Sequence, residues 1–176
     1  MADKPRRLEQ MFYQQSAPEL APRLLGKWLC KRLERRTLRL RITETEAYYG
    51  EDDTACHVSR GCTPRTAIMY AEGGRTYIYL CYGIHEMLNV VSGVEGFPEA
   101  VLIRGVEGFD GPGKLTRAMG ITRELNHEDL TVSQRLWIED DGTEVKFTSA
   151  PRIGINYASA RDRRRRWRFT ATRLPS

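Results

Sequence analysis

The sequence predicts an α+β fold, a compact single domain around a curved, mainly antiparallel β-sheet with short flanking helices. Three observations predict it. The segment Leu38-Arg39-Leu40-Arg41-Ile42-Thr43-Glu44-Thr45-Glu46-Ala47-Tyr48 shows a strict alternation over several residues, the pattern of a half-buried strand. Further strand-type runs follow one another with short connections marked by glycine or proline, which favours antiparallel neighbours. The length of 176 residues suits one domain, 1–176, with a genuine core.

Taken in order, residues 8–15 and 18–25 read as short helices, the second ending at Gly26. Residues 27–33 and 37–48 form a strand pair around the charged turn Glu34-Arg35-Arg36. Residues 51–65 are polar and loop-like, and 66–70 suit a helical turn. Strands are expected at 75–82, 87–92 and 100–106, each bounded by turn signals. A short helix is expected over 113–119, with 131–136 a second helical segment. The chain closes with strands near 144–148, 152–156 and 167–172. There is no internal repeat and no long linker.

Side chains alternate faces along a strand, so an unbroken 38–48 strand puts Leu38, Leu40, Ile42, Glu44, Glu46 and Tyr48 on one side. That side is the apolar one, and Glu46 is then aimed at the core or at a pocket within it. A carboxylate there is costly unless it is paired or useful. Six of the eight tyrosines fall between residues 48 and 82. In Thr76-Tyr77-Ile78-Tyr79-Leu80-Cys81-Tyr82-Gly83 the alternation places Tyr77 and Tyr79 on one face. Tyr82 lies on the other, against a glycine that can turn the chain. Flat rings beside a buried acid suit a slot for a planar aromatic substrate, although tyrosine also fills strands for its propensity alone. In Ala100-Val101-Leu102-Ile103-Arg104-Gly105-Val106 an arginine interrupts an apolar run, and a buried guanidinium needs an anion. Glu44, Glu46 or a ligand phosphate could supply it. An Arg–Glu pair would orient an ionised general base, or serve as a structural ion pair.

Composition excludes several classes. Hydrophobic content of 40% and charged content of 29% are those of a soluble globular chain. No run approaches a membrane span, and the start, MADKPRRLEQ, has no apolar signal stretch, so the expected location is cytoplasmic (the bacterial nucleoid), or nuclear in a eukaryote. Cysteines 30, 56, 62 and 81 include no Cys-x-x-Cys pair, and Cys56, His57 and Cys62 lack zinc spacing; neither metal nor cofactor is expected. Gly111-Pro112-Gly113-Lys114-Leu115-Thr116 falls short of a phosphate-loop pattern. The net charge of +5 points weakly to a polyanion. It sits at the two ends: residues 1–40 carry ten basic and four acidic side chains, and the run 161–168 has six arginines and one aspartate. The section between is acidic.

ITETEAYYG, ACHVSRG-x-TPR, YIYLCYGIHEMLNVV, AVLIRGVE and GPGKL, in this order, resemble the alkyladenine (3-methyladenine) DNA glycosylases over about residues 6–170. The resemblance implies a monofunctional DNA repair enzyme, acting as a monomer. It would flip damaged purines out of double-stranded DNA and hydrolyse the N-glycosidic bond, leaving an abasic site. It implies a single α/β domain around a curved antiparallel sheet. Glu46 falls on the family's general base and Arg104 on the arginine that helps hold the attacking water. Tyr48, His57 and Tyr79 fall on the residues that contact the flipped base. Tyr82 falls on the ring that enters the duplex, and Asn89 on the asparagine that disfavours guanine. Arg60, Arg65 and Lys114 are expected to touch DNA phosphates, and the block 163–166 is a further possible contact. His85 and His127 read as surface or structural. Two other classes are open to the same residues. A metal-dependent nuclease would use Glu44, Glu46, Asp52, Asp53 and His57, and a non-catalytic binder of single strands would use tyrosine stacking.

Overall fold

In the computed structural model, which describes residues 4–175, ten strands form one sheet. They are β1 (Arg6–Arg7), β2 (Trp28–Arg32), β3 (Thr37–Tyr49), β4 (Thr76–Cys81), β5 (His85–Val91), β6 (Glu99–Val106), β7 (Phe109–Asp110), β8 (Leu136–Asp140), β9 (Phe147–Ala150) and β10 (Arg168–Ala171). The main order is β1-β8-β2-β3-β6-β5-β4, with β10 beside β3 and β9, and β7 beside β6. Each of these pairings is antiparallel, as short connections require. The helices are α1 (Gln10–Tyr13), α2 (Ala17–Leu24), α3 (Pro112–Met119) and α4 (Ala160–Arg164).

The elements form for local reasons. Ser16 and Glu19 close a capping box at the start of α2, satisfying two otherwise orphaned amides. Its face of Ala17, Leu20, Ala21 and Leu24 is wholly buried in the main core, with Leu29, Ile42, Ala47, Ile103 and Leu115. The helix α3 starts on Pro112 and ends at Gly120, which takes the left-handed conformation at φ +63°, where glycine avoids the Cβ penalty. A smaller apolar cluster joins Cys56, Val58, Met69, Tyr77, Val91 and Ala100, with Tyr48 and Tyr79 packed on it. No helix among the described residues is long and apolar enough to cross a membrane.

The structure corrects four expectations. Residues 131–136 are not helical: the Asp129 carboxylate accepts bonds from the Thr131 amide (2.9 Å) and hydroxyl (2.6 Å). Such local bonds compete with a helix, and the strand β8 begins at Leu136. Residues 152–156 are a loop, turned by Gly154 at φ +75° and anchored by Arg152. The helix expected over 8–15 is a single turn, Gln10–Tyr13.

The fourth correction concerns β3. Its register against β6 shifts between Ile42 and Glu44 and again before Thr45, which is a β-bulge. The two shifts are opposite in sense, so pairing resumes in the original register at Thr45 and Ile103, but the irregular stretch reverses which face follows on each strand. Ile42 and Ala47 consequently both enter the main core although they are five residues apart. Thr45 joins them, donating its hydroxyl to the Ala21 carbonyl of α2 at 2.8 Å. Glu46 and Tyr48 are delivered to the opposite face. Glu46 does line a pocket, but it does not share a face with Leu38, Leu40 and Ile42. The partner at the bulge is Gly105, where a Cβ would stand 2.7 Å from Thr43 Oγ1. A side chain at 105 would push the irregular backbone apart.

Candidate active site

A cavity of about 370 Å³ opens on the face to which the bulge turns Glu46. Its size falls in the range of small-molecule pockets. Strand β3 contributes Glu46 and Tyr48, β4 Tyr77 and Tyr79, β5 Asn89, and β6 Leu102 and Arg104. The loop before the 3-10 turn His57–Arg60 contributes Ala55 and Cys56, and the 153–157 loop closes the far wall with Ile153, Ile155 and Tyr157.

Glu46 is completely buried and fully partnered. Its Oε1 accepts from the Tyr48 hydroxyl at 3.0 Å and faces Arg104 Nη1 at 3.5 Å; its Oε2 accepts from the Ile153 amide at 2.7 Å. Burial raises its pKa above the ordinary carboxylate value, opposed by Arg104, the Ile153 amide and Tyr48. Desolvation disfavours the charged form, while the donors and the cation favour it. Arg104 also donates Nε to Glu44 at 2.7 Å, so it clamps both carboxylates that the sequence offered it. Glu44 is thereby a partner of Arg104, with Thr170 and Arg168 on its other oxygen.

The aromatic wall is built as the strand alternation requires. The rings of Tyr77 and Tyr79 lie 5.4 Å apart, and His57 meets Tyr79 edge-on at 4.5 Å. His57 Nδ1 and the Tyr77 hydroxyl share a hydrogen bond of 2.9 Å. Burial, assisted by the positive charge of Arg65, pushes the His57 pKa down to about 4. The imidazole is therefore neutral at physiological pH. Burial likewise raises the Tyr48 and Tyr79 pKa values, so both phenols keep their protons. Asn89 is buried, with its Nδ2 donating to the carbonyls of Tyr77 (3.1 Å) and Met87 (3.3 Å). These bonds hold the amide at the cavity wall.

Tyr82 stands at the mouth on the β4–β5 turn. It is 91% exposed and has φ +50°, beside Gly83 at φ +70°. A bulky side chain in the left-handed region costs roughly 1–2 kcal/mol, and such strain concentrates at functional sites. Arg60 and Arg65 are both exposed on the segment after His57, and Lys114 is exposed in the first turn of α3. The arginine run is differently occupied. Arg161 and Arg165 pair with the buried Asp162, Arg166 donates to the Ser149 carbonyl, and Arg168 to that of Pro151 at 3.0 Å. Arg163 and Arg164 are exposed and have no ion-pair partner among the described residues.

Sequence reasoning missed Arg152 and the true role of Asp53. Both side chains are wholly buried and paired at 2.6 Å. The nuclease ligand set is consequently not assembled: Asp53 is committed to Arg152 and Glu44 to Arg104. The single-charge interruption in Pro151-Arg152-Ile153-Gly154-Ile155 is the same signal that singled out Arg104, and reading it the same way would have found Arg152.

A buried, oriented carboxylate beneath an aromatic cavity, with an exposed ring on a strained turn at its mouth, is an arrangement suited to an enzyme that acts beside a planar group. Comparison with known proteins makes the class specific. A profile of the methylpurine-DNA glycosylase family matches residues 11–110 and 108–175. A Psychrobacter cryohalolentis protein provisionally named 3-methyladenine DNA glycosylase is 45% identical over 79% of this chain and 80% of its own. One from Methanocella arvoryzae with the same provisional name is 42% identical over 92% of this chain and 90% of its own. The DNA-3-methyladenine glycosylase of Arabidopsis thaliana is 41% identical over 93% of this chain and 71% of its own. The chain belongs to the methylpurine-DNA glycosylase family.

Proposed function

We propose that the protein excises alkylated purines such as 3-methyladenine from DNA by hydrolysing the N-glycosidic bond. The observation that carries the reading is Glu46, a fully buried carboxylate held by three donors at the wall of an aromatic cavity, in a chain of this family.

A base inside a duplex is out of reach, so it must be rotated out at a cost of a few kcal/mol. Tyr82, already projecting from a turn, can occupy the gap. The extruded purine would lie against Tyr48, His57 and Tyr79, gaining about 1–3 kcal/mol from stacking. Electron-poor, cationic bases gain most from aromatic faces, and a neutral His57 adds no repulsion. Asn89, fixed by two carbonyls, would crowd the exocyclic amino group of guanine. Cleavage passes through an oxocarbenium-like sugar. Glu46 would take the proton of a water held beside Arg104 and offset the developing charge on the sugar. A cationic base then leaves without an acid. Among the described residues no lysine lines the cavity, so the nucleophile is water and no strand-cleaving step follows.

The test is chromatography of bases released from alkylated DNA in excess chelator. Free 3-methyladenine should appear, with strands intact until alkali treatment. Strand breaks without alkali, or a borohydride-trapped covalent adduct, would refute hydrolysis by this route.

A further inference from the structure

Behind the cavity wall lies a charge pair that the reaction above does not use. Arg152 Nη1 donates to Asp53 Oδ2 at 2.6 Å and to the Ala47 carbonyl at 2.9 Å, while Nη2 donates to Asp53 Oδ1 at 2.9 Å. Asp53 in turn accepts from the amides of Tyr49 and Ala55, each at 3.1 Å. The guanidinium carbon sits 4.9 Å from the centre of the Tyr48 ring and 5.1 Å from that of Trp167.

These contacts join three segments, and each brings one part of the site. Strand β3 carries Glu46 and Tyr48. The loop from Tyr49 to Ala55 leads directly into Cys56 and His57. The 151–155 loop carries the Ile153 amide, whose bond to Glu46 is 2.7 Å and whose position is fixed by the residue immediately before it. Burying two charges is expensive, and a buried ion pair often stabilises a fold no better than apolar residues of similar shape. Stability is thus a weak reason for this pair, whereas a planar, bidentate platform beneath Tyr48 is something only arginine supplies.

We infer that Arg152, locked by Asp53, is a positioning residue for excision: it holds the Tyr48 ring and presents the Ile153 amide to Glu46. This rests on the glycosylase reading of the site. Arg152 is also one of the charges that face Glu46. The others are Arg104 from β6, Glu44 and the Tyr48 hydroxyl from β3, Tyr79 from β4, Tyr157 from the 153–157 loop, and Arg168 from β10 beyond Glu44. Arg152 favours the ionised form of Glu46, so its loss moves the acid limb of the rate to higher pH.

The experiment compares wild type, E46Q, R152K and the double variant D53N/R152M, in which both charges go but an acceptor for the Tyr49 and Ala55 amides stays. Single-turnover base release from alkylated DNA, its pH profile, thermal melting, and affinity for a duplex with an abasic-site analogue are measured. R152K and the double variant should each lose on the order of a hundredfold in excision, as expected for misplaced reacting groups. Affinity for the abasic duplex, which places no base in the cavity, should stay near wild type, and the acid limb of the double variant should move up. A folded R152K that excises at the wild-type rate would overturn the inference, as would a folded double variant with unchanged rate and acid limb. Should the double variant not fold, R152K decides. Wild type that releases no base would overturn the glycosylase reading instead.

Discussion

Replacing Glu46 by glutamine keeps the shape of the side chain and removes its basicity. The amide can still accept the Ile153 N–H that now bonds Oε2 at 2.7 Å, so the cavity should keep its form. What goes is the proton acceptor and the negative charge beside the developing sugar cation. General-base action alone is worth about 10²–10⁴-fold, or about 3–5 kcal/mol at about 1.4 kcal/mol per decade. Single-turnover release of 3-methyladenine with enzyme in excess should fall by at least the lower figure, while affinity for an abasic-analogue duplex is retained. The pH dependence adds a second signature. Burial lifts the Glu46 pKa, so the wild-type rate should rise with pH through a value above the ordinary carboxylate pKa of about 4.3 and then level off. The variant should lack that limb. A folded-state pKa above the unfolded one gives a stability contribution that is present at low pH and lost as pH rises through the folded value. E46Q should therefore melt no lower than wild type at neutral pH, and any advantage should vanish below about pH 4. Excision by E46Q within tenfold of wild type, or an acid limb that survives in it, would refute the assignment of Glu46 as the base.

Three further outcomes are expected. Tyr82→Gly should raise thermal stability by about 1 kcal/mol, because glycine relieves the strain of φ +50°, yet weaken excision from duplexes more than from single strands; equal losses on both substrates would assign the ring to packing. Asn89→Ser should release more guanine-derived product, since a smaller side chain leaves room for the exocyclic amino group; an unchanged product ratio in the released-base chromatogram would remove Asn89 from selectivity. Replacing Arg163, Arg164, Arg165 and Arg166 together by glutamine should flatten the slope of log affinity against log salt by at most about 1.8, the share of the two unpaired arginines at about 0.9 per phosphate contact; a larger change would mean that the paired Arg165 and Arg166 leave their partners when DNA binds.

Much of the site could be read from the sequence because it obeys local rules. Tyr77 and Tyr79 share a face by strand parity and do line one wall. Arg104, a charge in an apolar run, did need an anion, and took both Glu44 and Glu46. The block 163–166 reads as a further DNA contact, and only the structure shows Asp162, near the start of the basic run, buried and bonded to Thr54 and Ser159. The pairing of Asp162 with Arg161 and Arg165 is local, but its burial against Thr54, more than a hundred residues away, is a tertiary fact that no local pattern announces.

The bulge in β3 is the more instructive case. Apolar and polar residues alternate strictly from Leu38 to Thr43 and no glycine or proline interrupts the chain up to Tyr48, so parity alone places Glu46 on the side of Ile42, inside the main core. There it would face Leu20, Leu24 and Leu115 with no donor in sight, an arrangement that burial costs forbid for a carboxylate. The shift is set by pairing with β6, where Gly105 yields to Thr43, and it sends Glu46 to the only side where Arg104 can meet it. From there the remaining donors follow: Tyr48 from the same strand and the Ile153 amide from a loop that Arg152 and Asp53 hold in place. Glu46, the proposed base, is thus positioned by one irregularity in its own strand, opposite Gly105, and by one buried ion pair, Asp53 with Arg152. A change at Gly105 should on this reasoning behave like a change in the active site: Gly105→Val should lower excision sharply, and a variant that folds and excises normally would show that the bulge does not set the direction of Glu46.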